Sequence, residues 1–166
     1  CGAKLSPRHA VGEAVAALVF VSLLLRYDIS LRTLEAWAVA CLLLACAFAD
    51  LEGYIIPDRF IAVGVVLFIV TLFFVPDPGK RALDGLIGGV AVGGGDIKLL
   101  FLTGLFLGWQ KNLLCLLLAC VVGILWGLVR AKRGQQGLPW GPGIALAAWC
   151  AALFGQNLID WYLSLL

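Results

Sequence analysis

The chain has 166 residues, of which 63% are apolar and only 13% charged, with a net charge of +2 and a mean hydropathy of +1.04. Intrinsic disorder is excluded because it requires low hydrophobicity, and a nucleic-acid binder is disfavoured because no basic face is present. A soluble domain of this length would be about half apolar and a quarter charged, so the composition leaves an all-α, polytopic helical membrane protein in one membrane domain.

A membrane-spanning helix needs about 20 predominantly apolar residues, with a lower limit near 17. Ala10–Leu25 is the first candidate, followed by Arg26, Asp28 and Arg32. Leu34–Ala49 is the second and ends at Asp50, where a polar elbow runs to Arg59. Phe60–Val75 is the third, closed by a turn from Pro76 to Arg81. Leu83–Gly95 is short and glycine-rich, and Ile97–Trp109 is also short. Leu113–Val129 is a clear span with Arg130, Lys132 and Arg133 after it. Pro139-Trp-Gly-Pro-Gly143 reads as a rigid break, and Ile144–Leu166 closes the chain, interrupted by Gly155, Gln156, Asn157 and Asp160. About six transmembrane helices are expected.

The tryptophans lie mostly near run ends, as an interfacial belt requires. No internal repeat is evident, which argues against an inverted-repeat transporter. Cys41, Cys46, Cys115, Cys120 and Cys150 lie in apolar runs, where a thiol behaves as a small hydrophobe. Cys1 alone cannot build a metal site, and none is expected. Placing the N-terminus, the elbow and the Arg130–Arg133 loop on one side gathers Lys4, Arg8, Arg59, Lys98, Arg130, Lys132 and Arg133 there. Arg26, Arg32, Lys80, Arg81 and Lys111 remain opposite. The excess favours a cytoplasmic N-terminus.

Carboxylates at a membrane boundary are costly and need a reason. Asp50 directly follows an apolar run, and Asp96 follows Gly93, Gly94 and Gly95 between two others. Glycines permit unusual dihedrals and close backbone approach, leaving room for an extended peptide beside Asp96. Two carboxyls brought face to face share one proton, because like charges that close cannot both ionise. Such a pair activates a water and protonates a leaving amine. Read singly, the same acids have plainer roles. Asp96 reads equally as an N-cap after a glycine turn, and Asp58, after Pro57, as the N-cap of the third helix. Glu52 reads as a solvated elbow residue, and Glu13 as an interfacial or locally paired one. Lys98 balances local acid or snorkels, and His9 is an interfacial residue.

Three stretches together resemble a known family. Ala49-Asp-Leu-Glu-Gly-Tyr-Ile-Ile-Pro-Asp-Arg59 is similar to the first aspartate segment of the type IV prepilin peptidases (prepilin leader peptidases), membrane aspartic proteases of the GxGD class. Gly93-Gly-Gly-Asp-Ile-Lys-Leu-Leu100 is similar to their second aspartate segment, and Leu138-Pro-Trp-Gly-Pro-Gly-Ile-Ala-Leu-Ala147 to their late Pro-Phe-Gly-Pro segment, with Trp140 in place of Phe. The order agrees along residues 1–166.

The resemblance implies Asp50 and Asp96 as the catalytic pair, with Pro57, Asp58, Gly93, Gly94, Gly95, Lys98, Pro139, Gly141 and Pro142 supporting the motifs. It implies a multi-pass protein of the bacterial inner membrane, in contact with the bilayer and not with nucleic acid. Its active site would face the cytoplasm and cleave leaders from prepilins or pseudopilins, after a glycine and before their hydrophobic N-terminal helix. No metal or cofactor is implied; S-adenosylmethionine enters only with methyl transfer to the new N-terminus. Residues 1–9 resemble the remnant of a cytosolic cysteine-containing region associated with that methylation, leaving residues 10–166 as the peptidase domain. Only one cysteine of that region is present, which leaves methyl transfer open.

Leu83–Gly95 departs from the family, whose members have a longer helix there. About 13 helical residues span about 20 Å, against a hydrocarbon core of about 30 Å. If this run fails to cross, Asp96 emerges opposite Asp50. With the absence of methionine, this points to residues missing between Gly88 and Gly93 and before Cys1. The competing expectations are an archaeal-type preflagellin or presenilin-like GxGD protease, an ion-coupled transporter using the same two acids, and a noncatalytic pilus-assembly scaffold.

Overall fold

A computed structural model of the chain describes residues 7–53, 56–74, 77–90, 97–132 and 139–165. Seven α-helices make up these residues: α1 (Pro7–Tyr27), α2 (Leu31–Gly53), α3 (Asp58–Leu72), α4 (Pro78–Val90), α5 (Ile97–Leu107), α6 (Trp109–Lys132) and α7 (Gly141–Leu163). Four of them, α1, α2, α6 and α7, are long and apolar enough to cross a membrane. The outward surface carries large apolar side chains such as Leu25, Val66, Leu117, Ile124 and Trp161, an arrangement that water would penalise and lipid accepts. The chain is thus an all-α polytopic membrane protein.

The short helices are explained by where they sit. Helix α5 has 11 residues, too few to span. Its Leu99, Leu100, Leu102, Thr103 and Leu105 are all buried, and α2, α3, α4, α6 and α7 all pack around it. A helix apolar on every side belongs in a core, and one enclosed by protein need not match the bilayer thickness. Helix α4 lies against α5 at backbone contact. A Cβ on Gly85 would stand 2.8 Å from the Leu105 carbonyl oxygen, and one on Gly88 2.9 Å from that of Gly104. Small residues at such a crossing let helix backbones approach closely.

The chain turns correctly between these helices for local reasons. Gly108 has φ +77° and joins α5 to α6 in one residue, a conformation that glycine adopts without strain. Asn112, 1% exposed at the start of α6, donates to the carbonyls of Gly88 (2.7 Å) and Leu100 (3.1 Å), and its Oδ1 accepts from the Thr103 hydroxyl at 2.7 Å. One buried amide thereby ties α4, α5 and α6 together.

Several boundaries differ from the sequence expectations. The Pro76–Arg81 turn is not wholly a turn: α4 begins at Pro78, because proline suits the first helical turn, where its missing N–H has no partner to lose. The Pro139–Gly143 segment is not a break alone, since α7 starts within it at Gly141 with Pro142 in its first turn. Helix α7 also runs unbroken through Gly155–Asp160. Asp50 lies inside the last turn of α2 rather than beyond its end.

The two ends of the bundle are distinct. At one end the close of α2 leads into the start of α3, and α5 and α7 also begin there. At the other end Arg81 of α4 pairs with Glu35 in the first turns of α2. The Leu83–Gly95 expectation falls partly outside the described residues, which stop at Val90 and resume at Ile97. Helix α4 starts at the far end, and Lys98 at the start of α5 pairs with Asp58 at the start of α3.

Candidate active site

Asp50 is held by the helix that carries it and by the helix it caps. In α2, Val39, Leu43 and Cys46 face the core, and Asp50 continues that face in the last turn with 6% exposure. Gly141 is the first residue of α7 and is buried. The first N–H groups of a helix have no partner within it. The Gly141 N–H donates to Asp50 Oδ2 at 2.7 Å, across 91 positions of sequence. The amide end of a helix dipole also favours a negative charge at that place.

Gly141 is required there by space, not by backbone conformation. A Cβ at this position would lie 2.9 Å from both the Cβ and Oδ2 of Asp50. The start of α7 is fixed in turn by Trp140, its N-cap residue, whose indole lies on α6. A Cβ on Gly123 would be 2.9 Å from the Trp140 Nε1. Pro139 is buried, and Pro142 follows in the first turn. The Pro-Trp-Gly-Pro segment therefore works as a rigid seat that delivers one backbone N–H to one carboxylate.

Asp58 and Lys98 stand at the same end. Asp58 is the first residue of α3, whose N-cap is Pro57, and no side chain caps this helix. The expectation of an Asp58 N-cap is corrected accordingly: its carboxylate pairs with the Lys98 ammonium. Pro57 has φ −66° and ψ 127°, an extended conformation that sets the direction from the elbow into α3. Gly93, Gly94, Gly95 and Asp96 lie outside the described residues. Among the described residues, no three His, Cys, Asp or Glu side chains are grouped to hold a metal ion.

Sequence reasoning named Gly141 and Pro142 as motif residues but did not find the hydrogen bond that Gly141 makes. The available signal was a glycine beside a proline at a helix start, where an orphan N–H is free to bind an anion. It also missed Asn112, since a lone asparagine near the end of an apolar run gives no sign of its partners.

The type IV leader peptidase family matches residues 14–128 of the chain. The prepilin leader peptidase/N-methyltransferase of Aeromonas salmonicida (strain A449) is 32% identical over 186 residues, covering 99% of this chain and 64% of the relative. The protein of the same name from Pseudomonas putida is 30% identical, covering 100% of this chain and 65% of the relative. The one from Bacillus subtilis (strain 168) is 28% identical, covering 99% and 73%. The chain thus spans about two thirds of the length of these relatives. The first alignment is 186 residues long against 166 in the whole chain, so at least 20 of its positions have no counterpart here. No solved structure matches. The chain belongs to the type IV leader peptidase family.

Proposed function

We propose that the protein is an aspartic endopeptidase of the bacterial inner membrane that removes the leader from type IV prepilins or pseudopilins. Cleavage follows a glycine at the cytoplasmic face, and Asp50 and Asp96 are the catalytic pair. One observation carries this reading: the Lys98–Asp58 pair brings the start of α5 to the end of the bundle where Asp50 is buried. Asp96 directly precedes Ile97, the first residue of α5, and the peptide chain limits it to about 7 Å of Lys98 along the backbone.

In this mechanism one carboxyl is ionised and one is neutral. The ionised carboxylate takes a proton from a water as the water oxygen attacks the scissile carbonyl carbon. The neutral carboxyl gives its proton to the carbonyl oxygen, and a proton then passes to the amide nitrogen as the C–N bond breaks. The products are a carboxyl on the leader and an amine on the mature chain. The Gly141 N–H fixes Oδ2 of Asp50, and we assign Oδ1 to the water. Holding a catalytic group in place before the reaction removes an entropic cost from the barrier.

The test is cleavage of a prepilin in membranes by the wild type, Asp50→Asn and Asp96→Asn. Each variant is expected to lose about 10²–10⁴-fold in rate, the usual contribution of acid–base catalysis. Full activity in either, at equal protein level, overturns the assignment. Prepilin processing that survives both substitutions would instead favour a noncatalytic scaffold acting beside another enzyme.

A further inference from the structure

A groove of about 1870 Å³ runs along α2, walled by α1 on one side and by α7 and the far ends of α4 and α5 on the other. Its lining on α2 extends from Arg32 to Glu52. Twenty residues of α-helix measure about 30 Å, the thickness of the hydrocarbon core. Between those charged residues the α2 wall is wholly apolar after Glu35, formed by Ala36, Val39, Ala40, Leu43, Leu44 and Ala47. The groove is therefore apolar across the bilayer depth and charged at both ends.

Among the described residues that line it, the two ends carry opposite balances of charge. Glu13 and Glu52 line the end near Asp50, on helices in contact there, since a Cβ on Gly12 would stand 3.1 Å from the Phe48 ring. Arg32, Arg81 and Lys111 line the other end against Glu35 and Asp84, and Glu35 is already paired with Arg81. A helix carries partial positive charge at its N-terminus and partial negative charge at its C-terminus. The groove thus suits an apolar helix with its N-terminus toward Glu13 and Glu52. It opens beside the catalytic end, because Ala47 and Leu51 on either side of Asp50 line it, as does Pro142 after Gly141.

We propose that this groove holds the apolar helix of the substrate, N-terminus toward Asp50, with Glu13 and Glu52 receiving positive charge on the segment just before that helix. The proposal rests on the peptidase reading and assigns its substrate-binding face. Two facts favour a helix over lipid. The groove runs through both leaflets, whereas one acyl chain reaches only to the midplane. The described charged residues at its near end, Glu13 and Glu52, are also acidic and repel anionic headgroups.

The test uses the Asp50→Asn protein, which binds without cleaving, with a photocrosslinking residue in place of Phe48, Leu44 or Ala36. Prepilin is expected to crosslink near the start of its apolar helix from Phe48 and progressively later from Leu44 and Ala36. Leu117, on the lipid-facing surface of α6, should give none. Adducts with lipid alone, adducts between two enzyme copies alone, or a reversed order along the helix each overturn the proposal. In the active enzyme, Glu13→Gln with Glu52→Gln is expected to raise KM about tenfold with kcat little changed, the mark of lost binding energy shared by ground and transition states. A substrate whose basic leader residues are replaced by neutral ones should no longer distinguish this variant from wild type. An unchanged KM in the variant refutes the role of the two acids. Loss of Asp50 dependence would instead sink the peptidase assignment, so the two failures are separable.

Discussion

Replacing Gly141 by Ala probes the seat of Asp50 directly. The added methyl would lie 2.9 Å from the Asp50 Cβ and Oδ2 and 3.2 Å from its Cγ, where ordinary contact begins near 3.4 Å. Asp50 must then retreat by about half an ångström, stretching the 2.7 Å hydrogen bond toward the limit of a useful one. The backbone itself accepts Ala, so the effect is one of space alone. Misplacement on this scale is expected to slow cleavage about tenfold to a hundredfold, with a stability loss of about 1–3 kcal/mol from overpacking. The assay is the rate of prepilin conversion in membranes, normalised to enzyme amount. Gly143→Ala is the control two residues on: its methyl meets only a Val122 methyl at 3.6 Å and should leave the rate within about twofold, since an ordinary contact displaces nothing. If Gly141→Ala cleaves at the wild-type rate, the seat does not position Asp50 as argued.

The other predictions concern how the bundle holds the site. Asn112→Leu should destabilise the protein by about 2–4 kcal/mol, because the Gly88 carbonyl and the Thr103 hydroxyl lose a buried partner; an unchanged thermal midpoint in detergent would refute the clamp. Gly88→Ala should cost about 1–3 kcal/mol, since its methyl meets backbone atoms of Gly104, Gly108 and Trp109 that cannot move independently. Gly79→Ala, with nothing within 4 Å, should instead leave stability equal or raise it by about 0.5–1 kcal/mol; equal effects of these two changes would contradict the α4–α5 packing. Removing the Lys98–Asp58 pair should cost no more than about 1 kcal/mol, because both side chains are largely exposed, 52% and 78%, and water screens the pair. A double-mutant cycle measures that coupling, and a value of several kcal/mol would show it to be buried in the membrane-embedded protein.

Much of the architecture is legible in composition and local pattern. Long apolar runs bounded by charge give α1, α2, α6 and α7 to within a few residues, since a chain with 63% apolar residues has few ways to satisfy its backbone except as helices in lipid. Asp50 stands out because an acid ending an apolar run is expensive wherever it lies. Local pattern is less informative at Pro78 and Gly141. Proline and glycine punctuate turns and helix starts alike, and only the neighbouring helix decides which.

The sequence by itself determined the helical membrane class, most of the helices and the acids worth testing, because these follow from hydrophobicity and from residues adjacent along the chain. The tertiary structure decided that an 11-residue helix lies at the centre of the bundle, that Asn112 joins three helices, and that the partner of Asp50 is a backbone N–H 91 residues away. Such contacts depend on how closely backbones pack. That distance is set by the shapes of side chains from several helices at once, and no single stretch of sequence contains it.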